Sequence, residues 1–138
     1  QIHSGETFTP YFSNNLDGSL AGTWFPNRIG SGELAHPTIQ QWFDPTAFQT
    51  PAIGTYGNSR RNILRGPSWR QLDLSLAKKW AISKLGQDAD VQVRIDAQDA
   101  LNHPNFANPN SALDSGGVGK ITSANTSRGL QFSAKFEF

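Results

Sequence analysis

The sequence predicts an all-β chain: antiparallel strands with long loops, forming part of a β-barrel or of another β-sheet assembly. Two observations predict this. Three segments in the second half alternate apolar and polar residues with a period of two, and successive side chains of a strand point to opposite faces. The remainder is dense in Asn, Ser, Gly and Pro, while charged residues make up only 17%. Such a mixture suits strands and polar connections better than a helical bundle.

The first alternating segment covers 69–82, with Leu72, Leu74 and Leu76 on one face and Asp73, Ser75 and Lys79 on the other. The second, 91–101, sets Val91, Val93, Ile95 and Ala97 against Gln92, Arg94, Asp96 and Gln98. The third, 129–138, sets Leu130, Phe132, Ala134, Phe136 and Phe138 against Gln131, Ser133, Lys135 and Glu137. Residues 75–85 and 90–102 also fit modest amphipathic helices. The β-branched Val91, Val93 and Ile95 favour strand. Asp99 falls on the apolar side of the alternation. Residues 83–90 read as a short polar turn around Gly86, and 102–128 as a longer Asn/Pro/Gly/Ser-rich loop. Opposed charges on neighbouring strands are placed to pair across the ladder.

Composition shifts near residue 68. Residues 1–68 carry turn formers throughout (Pro10, Asp17-Gly18, Pro26-Asn27, Pro45, Gly57-Asn58, Gly66-Pro67) and keep neither strand nor helix period for long. They also hold Phe8, Tyr11, Phe12, Trp24, Phe25, Trp42, Phe43, Phe48 and Tyr56. Connections this long are usually functional or disordered, and the aromatics predict a folded loop region. The organisation is therefore 1–68 as an aromatic loop region and 69–138 as three amphipathic strands.

Several chemistries find no support. A net charge of +1 gives no electrostatic case for nucleic acid. The chain has no Cys, which removes disulfides and thiolate metal sites, and no Met, which reads as a processed chain or a fragment. No apolar run reaches the roughly 18 residues of a transmembrane helix. His3, His36 and His103 stand alone, without ligand spacing. No nucleophile elbow is present. Asp88, Asp90, Asp96 and Asp99 read as a polar turn and a strand face. The stretch Gly116–Lys120 fails as a phosphate loop, because Asp114 stands where the first Gly belongs and Ile121 replaces the Ser/Thr. The expectation is a non-enzymatic chain without cofactor or metal. Two groups remain as ligand or surface contacts. Arg60, Arg61 and Arg65 form a basic cluster suited to an anionic glycan or lipid headgroup, or to a solvated or paired face. Trp24, Trp42 and Tyr56 suit sugar stacking, or loop packing.

Alternation alone does not separate a membrane strand from half of a soluble β-sandwich. Local motifs add to it. The terminal run Phe132, Phe136, Phe138 resembles the C-terminal assembly signature of bacterial outer-membrane proteins. The run from Trp42-Phe43-Asp44-Pro45 through Gly54-Thr55-Tyr56-Gly57-Asn58 to Arg61-Asn62-Ile63-Leu64-Arg65-Gly66-Pro67 resembles a late extracellular loop of TonB-dependent receptors with a carboxypeptidase-regulatory-like plug extension, as in Acidobacteria. Asp73-Leu74-Ser75-Leu76, Arg94-Ile95-Asp96, Leu101-Asn102-His103-Pro104-Asn105-Phe106 and Gly119-Lys120-Ile121-Thr122 resemble the strands and loops that follow. The family commonly has aromatics where Ala77, Ala97 and Gln98 stand, and Asn where Asp99 stands.

The resemblance implies the C-terminal portion of an outer-membrane receptor or transporter for nutrient uptake or surface binding. Residues 1–68 would form an extracellular-type loop region, 69–82 and 129–138 would run toward the periplasm, and 91–101 would run outward. The implied partners are the remainder of the barrel and outer-membrane lipid or lipopolysaccharide. Three strands do not close a barrel, whose family members have about twenty-two, and open edges invite pairing with copies of the same chain. The alternative is therefore a processed fragment that self-assembles through its β edges into an extracellular fibre or other polymer.

Overall fold

A computed structural model describes residues 1–14, 23–82, 89–125 and 127–137. Among them the chain forms nine strands: β1 (Ile2–His3), β2 (Thr7–Phe8), β3 (Asn27–Arg28), β4 (Phe48–Gln49), β5 (Leu64–Arg65), β6 (Trp69–Arg70), β7 (Leu74–Ala81), β8 (Asp90–Gln98) and β9 (Gly129–Glu137). One 3₁₀ turn, Pro45–Ala47, precedes β4. The chain is all-β, and its main ladders are antiparallel. It divides into two compact units. One comprises Gln1–Ile2, Arg70–Asn105 and Thr126–Phe138, and the other His3–Trp69 and Phe106–Asn125. This division does not follow the composition shift near residue 68, since 106–125 fold with the aromatic region.

The first unit is built on a three-stranded sheet of order β7-β8-β9. In its register Leu76 faces Ile95, which faces Phe132. The β-branched residues of β8 thus take the strand, and the helical alternative for 75–82 and 90–102 is set aside. The strand expected over 69–82 is interrupted at 71–73. There the Asp73 carboxylate accepts from the Gln71 side-chain amide at 3.0 Å and from the Asp99 N–H at 2.9 Å, and a side chain that captures a backbone donor competes with ladder pairing. The strand expected over 91–101 ends at Gln98. Asp99 and Asn102 have φ of 46° and 51°, a left-handed conformation that ends the pleat. Asp99 is therefore not a member of the apolar face. It is a turn residue, 6% exposed. Leu101 lies in the turn and is exposed. Residues 83–88, with the expected turn at Gly86, and Phe138 lie outside the described residues.

The second unit carries its own core. Phe8, Phe43, Ala47, Phe48 and Leu64 are buried together, with Trp42, Ile63, Leu113 and Val118 packed against them. Phe43 is the hub, its ring 5.5 Å from that of Phe8 and 6.1 Å from that of Phe48. The two-residue strands place these rings: Phe8 faces Leu64 across β2–β5, and Phe48 faces Arg28 across β3–β4. Asp44 caps the 3₁₀ turn, accepting from the Thr46 N–H at 2.9 Å and hydroxyl at 2.7 Å, and Pro45 suits the first helical position. Gly5 permits a close crossing, because a Cβ there would sit 1.9 Å from the Gly66 carbonyl oxygen.

Asp114 ties the 106–125 loop to the start of the chain. Its carboxylate accepts from the Ser13 N–H and hydroxyl at 2.9 Å and from the Asn14 N–H at 2.7 Å. Burial would raise its carboxyl, but these donors outweigh that and hold it below the ordinary aspartate value. A depressed folded-state value contributes stability above the unfolded value, and that stability is lost as pH falls through the folded value. We expect amide-exchange protection at Ser13 and Asn14 to hold down to about pH 4 and to fall below it. Asp114→Asn, measured at each pH as the reference, should show a flat profile.

At Asp99, one buried carboxylate oxygen has no partner among the described residues. Asn tolerates the left-handed conformation equally well and carries no charge. Asp99→Asn should stabilise the fold by on the order of 1 kcal/mol, read as a higher midpoint in the heat-dependent gel shift of the intact protein.

Candidate functional site: the two faces of the C-terminal sheet

The register of β7, β8 and β9 sorts their side chains into rows that cross all three strands. On one face the rows are Leu74–Ala97–Leu130, Leu76–Ile95–Phe132, Lys78–Val93–Ala134 and Trp80–Val91–Phe136. The opposite face reads Ser75–Asp96–Gln131, Ala77–Arg94–Ser133, Lys79–Gln92–Lys135 and Ala81–Asp90–Glu137. One face is nearly all hydrocarbon and the other nearly all polar.

The apolar face has no protein covering it within its unit. Leu76 and Phe132 are each 70% exposed and Phe136 is 67% exposed. Exposed apolar surface of this extent marks a contact with another molecule or with lipid. Its one charge, Lys78, is handled locally. The ammonium lies 5.3 Å from the centroid of the Trp80 ring, so the alkyl stem covers apolar surface while the charge moves toward an aromatic neighbour. Sequence reasoning left Lys78 and Trp80 out of the face, although continuing the period from Leu74 and Leu76 reaches both.

The polar face is neutralised internally. Arg94 Nε donates to Asp96 at 2.8 Å, and the Ser75 hydroxyl donates to the same carboxylate at 2.6 Å. Lys79 Nζ lies 2.7 Å from Asp90 and 3.7 Å from Glu137, which Lys135 also engages. The Lys79–Asp90 pair is a diagonal contact between β7 and β8, and Lys79–Glu137 reaches across all three strands. Asp73, Ser75, Arg94, Asp96, Gln131 and Ser133 line an open concavity of about 580 Å³ on this face. The arrangement presents polar groups of little net charge, suited to contact with water.

The residues singled out as ligand contacts are not gathered into one site. Trp24 is 4% exposed and stacks on Tyr56, with ring centroids 5.8 Å apart, while Tyr56 itself is 81% exposed. Trp42 packs on the core, and its indole N–H donates to the Arg65 carbonyl at 2.9 Å. The Arg65 guanidinium is engaged by the Ser4 hydroxyl and the Gly5 carbonyl. Arg61 lies 5.7 Å from the centroid of the Phe25 ring, and Arg60 is exposed. The basic cluster of the sequence is therefore dispersed among local contacts. Phe132 and Phe136 occupy the apolar face, and Phe138 lies outside the described residues. Among the described residues no group of His, Asp and Glu has the arrangement of a metal site.

An antiparallel sheet with one bare apolar face and one charge-balanced polar face has the design of a membrane-spanning β-barrel wall. The chain matches the family model of the outer membrane beta barrel domain over residues 1–131 and belongs to that family. It is a protein of the bacterial outer membrane, and the soluble-sandwich alternative is set aside. Neither the curated proteins nor the solved structures contain a significant match. The family match takes in the aromatic region, β7, β8 and the first residues of β9.

The rows generate a paired test. A Lys on the lipid face costs about 2–4 kcal/mol near mid-membrane, whereas lumen-side changes are tolerated. Phe132→Lys should sharply reduce heat-modifiable, folded protein in outer-membrane fractions. Gln131→Lys, one residue away and opposite Asp96, should leave the folded amount close to wild type.

Proposed function

We propose that the chain is the C-terminal portion of a TonB-dependent type receptor or transporter that takes up or binds a nutrient at the cell surface, and that it is not an enzyme. The observation that carries this reading is the run of receptor-like motifs, in order along the chain, ending on a sheet whose rows separate lipid-suited from water-suited side chains. Family membership supplies the barrel and the membrane. In this reading β7 and β9 run toward the periplasm and β8 runs outward. The rows Leu74–Ala97–Leu130 to Trp80–Val91–Phe136 meet outer-membrane lipid, and the rows bearing Arg94 and Asp96 meet the lumen.

Barrel closure is required by the edges. Among the described residues, β7 and β9 each pair on one side only. Unpaired backbone groups in hydrocarbon cost several kcal/mol each, so the remaining strands of the barrel are the first partner. The same open edges are what a polymer of this chain would use.

Purification of the native particle from outer membranes separates these readings. We expect a single closed barrel in which upstream strands flank β7 and β9, and which retains the periplasmic domain of TonB in a pull-down. A homopolymer of the 15.1 kDa chain, or a closed barrel that does not retain TonB, would overturn the proposal.

A further inference from the structure

The aromatic unit contains a cleft that none of the preceding assignments uses. Its volume is about 450 Å³, within the range of small-ligand sites. His3, Glu6, Trp69, Phe106, Asn108 and Asn125 line it. These residues come from both stretches of the unit, His3–Trp69 and Phe106–Asn125. His3 and Trp69 form a stack with centroids 5.9 Å apart and planes only 5° from parallel. Gly66 lets the Asn108 side chain approach the backbone, since a Cβ there would fall 1.9 Å from Asn108 Oδ1.

We propose that this cleft binds a neutral saccharide. The chemistry selects that class. Flat rings offer faces to the C–H side of a pyranose, and a carboxylate and two carboxamides offer acceptors and donors to its hydroxyls. Among the described residues no Lys or Arg lines the cleft, and Glu6 has no ion-pair partner. An unpaired carboxylate in a cleft disfavours anionic ligands. The site thus differs in both position and charge from the arginine cluster at residues 60–65, whose Arg61 and Arg65 are held by Phe25, Ser4 and Gly5. As the capture site of a receptor it rests on the reading above, but as a binding site it needs no energised transport.

The test is equilibrium titration of the complete, detergent-solubilised protein with cellohexaose, maltohexaose and xylohexaose, and with hexagalacturonate as the anionic counterpart. Because nothing is transported, TonB plays no part in the readout, and failure here is distinct from failure of the transporter proposal. At least one neutral hexasaccharide should bind more tightly than hexagalacturonate. Trp69→Ala and Phe106→Ala should weaken it by about tenfold or more. Glu6→Gln, an exposed and conservative change, should weaken it several-fold with the heat-dependent gel shift unaltered. Tyr56→Ala, outside the cleft, should leave it unchanged. Binding of none of the three neutral sugars, preference for the anionic one, or affinity indifferent to both Trp69→Ala and Glu6→Gln would overturn the assignment.

Discussion

A slip of one residue between β8 and β9 would carry Phe132 and Phe136 to the side now held by Arg94 and Asp96. The side-chain period of a strand is two, so no partial error is available. Pairing of Ile95 with Phe132 and of Val91 with Phe136 is therefore the constraint on which the rest of the sheet depends. The polar face enforces the same choice. Lys79 reaches Asp90 and Glu137, and Ser75 reaches Asp96, only while the three strands keep this alignment. Each such exposed contact is weak taken alone. Their value lies in agreement, since both faces favour one register.

The two compact units solve the burial of apolar groups differently. In the sheet, leucine and phenylalanine side chains remain uncovered by protein, and lipid replaces the core that a water-soluble domain would need. The aromatic unit has no such support. Its rings close around Phe43, which is 1% exposed, and its two-residue strands serve as clasps holding Phe8, Phe48 and Leu64 in place. Short strands contribute few ladder hydrogen bonds, so the packing of rings and the local caps at Asp44 and Asp114 carry the order.

The strands were legible because lipid-facing and water-facing residues alternate without interruption over β8 and β9. Legibility failed where a side chain competed with the backbone. Asp73 looks like one more polar residue of an alternating run, yet it accepts the Asp99 N–H and breaks the strand before Leu74. Asp99 looks like a polar residue misplaced on a greasy face, but its φ of 46° takes it out of the pleat. The turn conformation thus resolves an apparent conflict in the pattern. Chemical type marks Trp24, Trp42, Tyr56 and the arginines either as ligand contacts or as packing and paired side chains, and Trp42 and Arg65 make contacts of the second kind. The proposed cleft is the least legible part. His3, Trp69 and Phe106 lie far apart along the chain, and no spacing rule joins them.

Recognition by the aromatic unit depends on that internal core. A loop without one must be ordered by its ligand, and the ordering entropy is subtracted from affinity. Here the Phe43 cluster, the Gly5–Gly66 crossing and the Asp114 clip fix the backbone before any ligand arrives. Trp69 is already stacked on His3, so its ring does not have to be immobilised on binding. The aromatic residues buried in this region thus preorganise the few that remain accessible. This accounts for a long connection that carries so many rings and exposes only some of them.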